Sequence, residues 1–154
     1  MRDMDELFRA LGRSRFRSRF RLSGKDADYL RQKGLETIIE HARDLVTKRL
    51  ADAYPANDGR QTPMRNHPVF VAQHATGTCC RKCLEKWHHI PRGKTLTETD
   101  ISYMIEVLKR WLIGQNVPPP ASAQEELCWT LSEKNLAFRC RSSTLQASRV
   151  AIKL

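Results

Sequence analysis

Long hydrophobic runs are missing from this sequence. No stretch of its 154 residues approaches the roughly 20 apolar residues that a membrane-crossing helix needs, so no membrane attachment of that kind is expected. The first residues, Met1 to Glu6, carry acids and no apolar core segment, which argues against a secretory leader. There is no phosphate-binding Gly-rich loop, no His-Glu-x-x-His pair and no nucleophile elbow. The enzyme classes that announce themselves by those motifs are therefore not indicated, and no internal repeat suggests an array. Acidic residues are also in short supply, at 17 against 27 Lys and Arg, for a net charge of +10. Half of that excess lies in residues 1–25, where eight basic residues face three acids. A basic arm of this kind favours a polyanionic partner, nucleic acid above all.

What the chain does have is a cluster of thiols and imidazoles. Residues 73–89 hold three of the five cysteines (Cys79, Cys80, Cys83) and three of the five histidines (His74, His88, His89). Thiolate and imidazole at this density are the ligands that zinc selects. Cys80 and Cys83 form a Cys-x-x-Cys pair, a common zinc spacing, and Cys79, His74 and His88 compete for the remaining positions. The second Cys pair of a standard finger is absent. An iron–sulfur centre, which usually takes four cysteines, fits less well. Adjacent Cys79 and Cys80 are poorly placed to bridge each other, and the odd cysteine count suits a reducing, cytoplasmic setting.

Around the cluster the pattern is helical. Residues 5–11 predict a short helix ended by Gly12. Arg13, Arg15, Arg17, Arg19 and Arg21 alternate with Ser14, Phe16, Ser18 and Phe20. If extended, this run puts five guanidinium groups on one face, suited to phosphates, and the phenyl rings on the other. The bland alternative docks Phe16, Phe20 and Leu22 on the core and leaves the arginines solvated. Residues 26–52 predict one long amphipathic helix, with Leu35, Ile38, Ile39, Ala42, Leu45, Val46 and Leu50 at helical spacing, Gly34 weakening its first part and His41 at the edge of the stripe. A long polar connection follows. Its Asp58, Arg60, Gln61, Arg65 and His67 could hold a polar ligand, or could satisfy the loop's own backbone.

A helix entered near Asn66, with Pro68 in its first turn, should close at Gly77. Thr78 would then cap the next helix, on which Cys79, Cys80 and Cys83 share one arc with Leu84 and Trp87 at 100° per residue. Thr97 and Asp100 predict a capping box for a further helix with Ile101, Met104, Ile105, Leu108, Trp111 and Leu112 as its apolar stripe. Pro118, Pro119 and Pro120 mark a linker. Beyond it the pattern is weak, with a turn or two of helix from Glu125 to Leu131, and Cys128 and Cys140 read as bystanders.

The run Asn57-Asp58-Gly59-Arg60-Gln61-Thr62-Pro63-Met64-Arg65-Asn66-His67-Pro68-Val69-Phe70, followed by His74-Ala75-Thr76 and Cys79-Cys80-Arg81-Lys82-Cys83-Leu84-Glu85-Lys86-Trp87-His88, resembles the bacterial domain-of-unknown-function family 4186. The resemblance spans about residues 7 to 113 and departs at Asn66, where Gly is expected, and at Asp52, where Pro is expected. It implies no activity. It does imply that the polar loop and the cysteine segment belong to one recurring unit.

The expectation is a small, mainly α, single-domain fold with a long polar loop and a Cys/His-rich helix-turn-helix segment. Residues 1–25 would form a basic arm, 26–113 the helical core and 114–154 a weakly structured extension. The leading function is a zinc-binding structural or nucleic-acid-associated module. The alternatives are a metal-dependent hydrolase built on Asp58, His67 and His74, and a metal-free protein–protein adaptor.

Overall fold

The computed structural model describes residues 2–115 and 117, which lie in a compact unit, Met1–Pro120. Among the described residues there are six helices and no strands: α1 Met4–Arg13, α2 Gly24–Lys33, α3 Leu35–Leu50, α4 Pro68–Thr76, α5 Arg81–His88 and α6 Glu98–Ile113. The fold is mainly α, as the sequence pattern predicts. The triple proline, the segment Glu125 to Leu131, Cys128 and Cys140 lie outside the described residues.

Two long helices carry the core. On α3 the expected stripe is buried, with Ile38, Ala42, Val46 and Leu50 sealed from solvent. On α6 it is Ile101, Met104, Ile105, Leu108 and Leu112, and the two helices pack on one another. Each fully buried Ile, Val, Leu or Met contributes about 1.5–3 kcal/mol of transfer free energy. Thr97 caps α6 in a capping box: its hydroxyl accepts from Asp100 N at 3.1 Å, and the Asp100 carboxylate accepts from Thr97 N at 3.0 Å. The short α4 buries Val69, Val71, Ala72, Ala75 and Thr76. A helix apolar on nearly every side is one enclosed by its neighbours; here these include α3 and α6.

The long helix expected over residues 26–52 is two helices. Gly34 takes φ 79 and ψ 158 between them, a conformation that ends α2 and that glycine adopts at little cost. Gly12, expected to stop the first helix, lies inside α1, which ends against Ser14. The basic N-terminal segment carries a packed helix, Met4–Arg13. Leu7 and Leu11 of α1 are buried with Val107 of α6, and Asp3 caps α1 by accepting from Glu6 N at 2.9 Å.

The arginine run is not extended either. Residues 15–19 form a turn, closed by Ser18 N donating to Ser14 O at 2.9 Å and Phe20 N to Arg17 O at 3.2 Å. The five guanidinium groups therefore share no face. Arg17 is buried, while Arg13, Arg15, Arg19 and Arg21 are exposed.

Candidate metal centre

The site begins where α4 ends. Gly77, in the left-handed region (φ 81), terminates the helix, and a Cβ there would lie 3.0 Å from the Trp87 ring. Only glycine suits both the backbone and the space. The chain then crosses Thr78 and Cys79 to Cys80, the N-cap of α5, so Cys83 sits in the first turn of that helix. Cys79 and Cys80 thus precede α5 rather than ride on its face. Thr78 does not cap it; the Thr78 hydroxyl instead meets that of Thr76 at 3.1 Å. The convergence expected from a helical arc arises from an entry turn.

The sulfurs of Cys79, Cys80 and Cys83 lie within 4.8 Å of one another. Among the described residues this is the one group of three or more His, Cys, Asp or Glu side chains so close together. All three cysteines are free thiols, two buried and Cys83 half-buried.

Residues far apart in the chain hold this turn. The Thr62 hydroxyl donates to Cys79 O at 2.9 Å. Asp58 Oδ1 accepts from Arg81 N at 2.9 Å, satisfying one of the open N–H groups of α5. Arg81, 1 % exposed, donates through Nη1 to Leu50 O at 3.2 Å and through Nη2 to Pro91 O at 2.9 Å. It ties the end of α3 and the loop after α5 to the cysteine turn.

Arg17 reaches the cluster from the N-terminal turn. Its Nη2 donates to Cys83 Sγ at 3.2 Å and its Nη1 to the His74 carbonyl. Its guanidinium carbon lies 5.1 Å from the centre of the Trp87 ring. Arg17 is only 7 % exposed and has no carboxylate partner among the described residues. Burying a cation is costly unless it is hydrogen-bonded or paired. Arg81 is served by carbonyls alone, whereas Arg17 has one carbonyl and the Cys83 sulfur, which is placed to act as its counter-charge. Hydrogen bonding from the Cys79 and Cys80 thiols, reinforced by Arg17, holds the Cys83 thiol well below its ordinary range against the opposing effect of burial. Hydrogen bonding within the cluster, together with burial, pushes Cys79 up.

The histidines are engaged elsewhere. His88 is fully buried, its Nε2 3.0 Å from Thr76 O and its Nδ1 3.2 Å from the Tyr103 hydroxyl. With both nitrogens occupied it offers no lone pair to the thiols. Burial pushes it down to about 4. His74 places Nε2 3.2 Å from Thr62 O and stacks on Phe20. His67 caps α4, its Nδ1 accepting from Val69 N at 3.2 Å. Its proton is then on Nε2, which donates to His41 Nδ1 at 3.2 Å. His41 is therefore one of a histidine pair and not a lone edge residue. Burial first, and then His41, push His67 down to about 4.

The polar loop does not converge on one ligand. Gln61 donates to Asp58 Oδ1 at 3.3 Å and accepts from Gly59 N at 2.7 Å, while Arg60 and Arg65 are exposed. Asp58, His67 and His74 thus serve three different contacts, Arg81 N, Val69 N and Thr62 O, and do not come together as the alternative hydrolase reading needs. Sequence reasoning missed Arg81 and singled out Arg17 for another purpose. A buried arginine leaves no periodic signal, so neither could be recognised before the fold.

A small helical domain organised around a three-thiol centre is the class that this geometry defines. The chain belongs to the family described as "Domain of unknown function (DUF4186)", whose model matches residues 5–113. No solved structure matches it.

Proposed function

We propose that this domain is a metal-binding module in which Cys79, Cys80 and Cys83 hold one zinc ion and Arg17 balances its charge. The observation that carries the reading is the buried Arg17 guanidinium on one sulfur of a triangle whose members lie within 4.8 Å. Tetrahedral zinc with bonds of about 2.3 Å brings its thiolates to roughly 3.8 Å of one another, so one mononuclear ion fits with small adjustments. Three thiolates on a divalent cation carry one net negative charge, and the guanidinium cancels it. Neither His74 nor His88 supplies a fourth ligand in this arrangement. Water or a bound anion would complete the coordination, as in zinc sites of the open kind. Thiols that stay free suit a reducing compartment, and we place the protein in the cytoplasm on that ground. Among the described residues no helix is long and apolar enough to cross a membrane.

The test is metal analysis of protein purified without added metal, followed by chelator competition. One zinc per chain is expected. Cys80→Ser and Cys83→Ser should each lose it and melt earlier, because binding energy in such a site is folding energy. Cys128→Ser and Cys140→Ser should retain it. A Cys80→Ser, Cys83→Ser double variant as stable as the parent, with no metal in either, would retire the centre and leave the adaptor reading.

A further inference from the structure

A second feature, independent of the thiols, lies where the arginine turn meets the polar loop. A cavity of about 680 Å³ opens there, and Arg19, Arg21, Lys25 and Arg65 all line it, against one acid, Asp26. Among the described residues none of the four cations has a carboxylate partner. Arg21 is anchored by Nη1 to the carbonyls of Ser18 and Phe20 at 2.8 and 2.7 Å, which aims it without neutralising it. The α2 entrance, Ser23 and Gly24, forms another part of the wall. Ser23 makes no side-chain cap there, so the first N–H groups of α2 add positive potential to the cavity. Four cations lining one concavity give it a positive potential that favours an anion there. Phe20 and Met64 contribute an apolar side.

We propose that this cavity binds a small organic phosphate, its phosphate between Lys25, Arg65 and the α2 entrance and its apolar part against Phe20 and Met64. Guanidinium, ammonium and helix N–H groups are the donors phosphate oxygens take, and the volume lies within the range of small-molecule sites. A nucleic-acid strand would instead need a row of cations. Arg13 and Arg15, which would continue such a row, do not line the cavity.

The experiment is calorimetric titration of the full chain at low salt with inorganic phosphate, a nucleoside monophosphate and a single-stranded oligonucleotide. The monophosphate is expected to bind at one site and more tightly than inorganic phosphate. Lys25→Gln and Arg65→Gln, both at exposed positions, should each weaken it about tenfold, the value of a charge-assisted hydrogen bond. Arg13→Gln and Arg15→Gln, which remove the same charge elsewhere, should change it less than about twofold. Thermal melts of each variant separate loss of binding from loss of fold, and retained binding by Cys80→Ser would separate this site from the metal centre. Equal loss in all four arginine and lysine variants would overturn the proposal in favour of diffuse charge. Affinity that appears only for the oligonucleotide and grows with its length would overturn it in favour of a nucleic-acid surface. Absence of saturable binding by both small probes would remove the site.

Discussion

Replacing Arg17 by Met keeps much of the side-chain volume and deletes the guanidinium. The His74 carbonyl loses a donor, and Cys83 Sγ loses the cation 3.2 Å away. Leaving a buried acceptor unpaired costs about 1–3 kcal/mol, with more for a charged one, and the lost approach to Trp87 adds roughly 0.5–2 kcal/mol. A total of about 3–5 kcal/mol should lower the melting temperature of a domain this size by roughly 10–20 °C. Metal affinity should fall about 10- to 100-fold, the usual cost of removing a group that hydrogen-bonds a ligand. Thermal melts with and without chelator, together with competition against a zinc indicator, read both quantities. Arg17→Lys keeps the charge but loses the planar fork whose two nitrogens serve His74 and Cys83 separately, so it should fall between. A variant that melts within about 2 °C of the parent and holds metal within about twofold would refute the reasoning. Lost stability with unchanged affinity would reduce Arg17 to a clasp for the N-terminal turn.

Three further outcomes follow from the same geometry. Gly77→Ala should cost about 2 kcal/mol or more, because it meets both a left-handed backbone and the Trp87 ring at 3.0 Å; Gly34→Ala has open space but sits at φ 79 and ψ 158, a region almost confined to glycine, and should cost about 1–3 kcal/mol through the backbone alone, and urea melts will read both. Arg81→Met should cost about 3–5 kcal/mol by stranding the Leu50 and Pro91 carbonyls, read by the same melts. His88 is held down to about 4 by burial and titrates near 6.5 in an unfolded chain, so the folded state binds fewer protons between those values. The stability from neutral His88 is complete above about pH 6.5 and is lost as pH falls toward about 4, up to roughly 3 kcal/mol, with His67 acting in the same direction. A denaturation midpoint that stays level across that range would show that His88 is not held neutral.

The helices were legible because their signals are local. The stripes on α3 and α6, the Thr97 capping box and the Gly77 terminus each occupy a few neighbouring residues, and propensity and packing agree there. The Gly34 break was harder, because Leu30, the buried residue of α2, lies eight residues before Ile38, so a helical period runs through the glycine unbroken. Gly12 and Gly34 differ only in what surrounds them: one stays inside a helix and the other adopts φ 79. The convergence of the three thiols was foreseen from a helical wheel that does not apply, since Cys79 and Cys80 lie ahead of α5. Short spacing alone kept them close in space. The histidines misled for the converse reason. Closeness in sequence made His74 and His88 candidates, and what excludes them, Thr62 and Tyr103, lies elsewhere in the chain.

The extent of the family match bears on which residues act together. The centre draws on separate segments: Arg17 from the N-terminal turn, Asp58 and Thr62 from the polar loop, and the thiols with Arg81 around the start of α5. The match over residues 5–113 takes in all of them, together with Tyr103 and all of α1 but Met4. Had the N-terminal residues been only a basic tail, the minimal domain would begin after residue 25. Such a boundary would remove Arg17, the one cation on the thiol cluster, and Leu7 and Leu11, which cover Val107 of α6. The arginine turn is therefore part of the thiol cluster's construction, and its arginines face two ways. One arginine is turned inward to a sulfur. Two others, Arg19 and Arg21, are turned outward to a cavity whose Phe20 wall stacks on His74, the residue whose carbonyl Arg17 holds. A ligand pressing on Phe20 would bear on that contact, so a bound nucleoside monophosphate should change metal affinity measurably, and identical affinity with and without it would show that the Phe20–His74 contact does not couple the two.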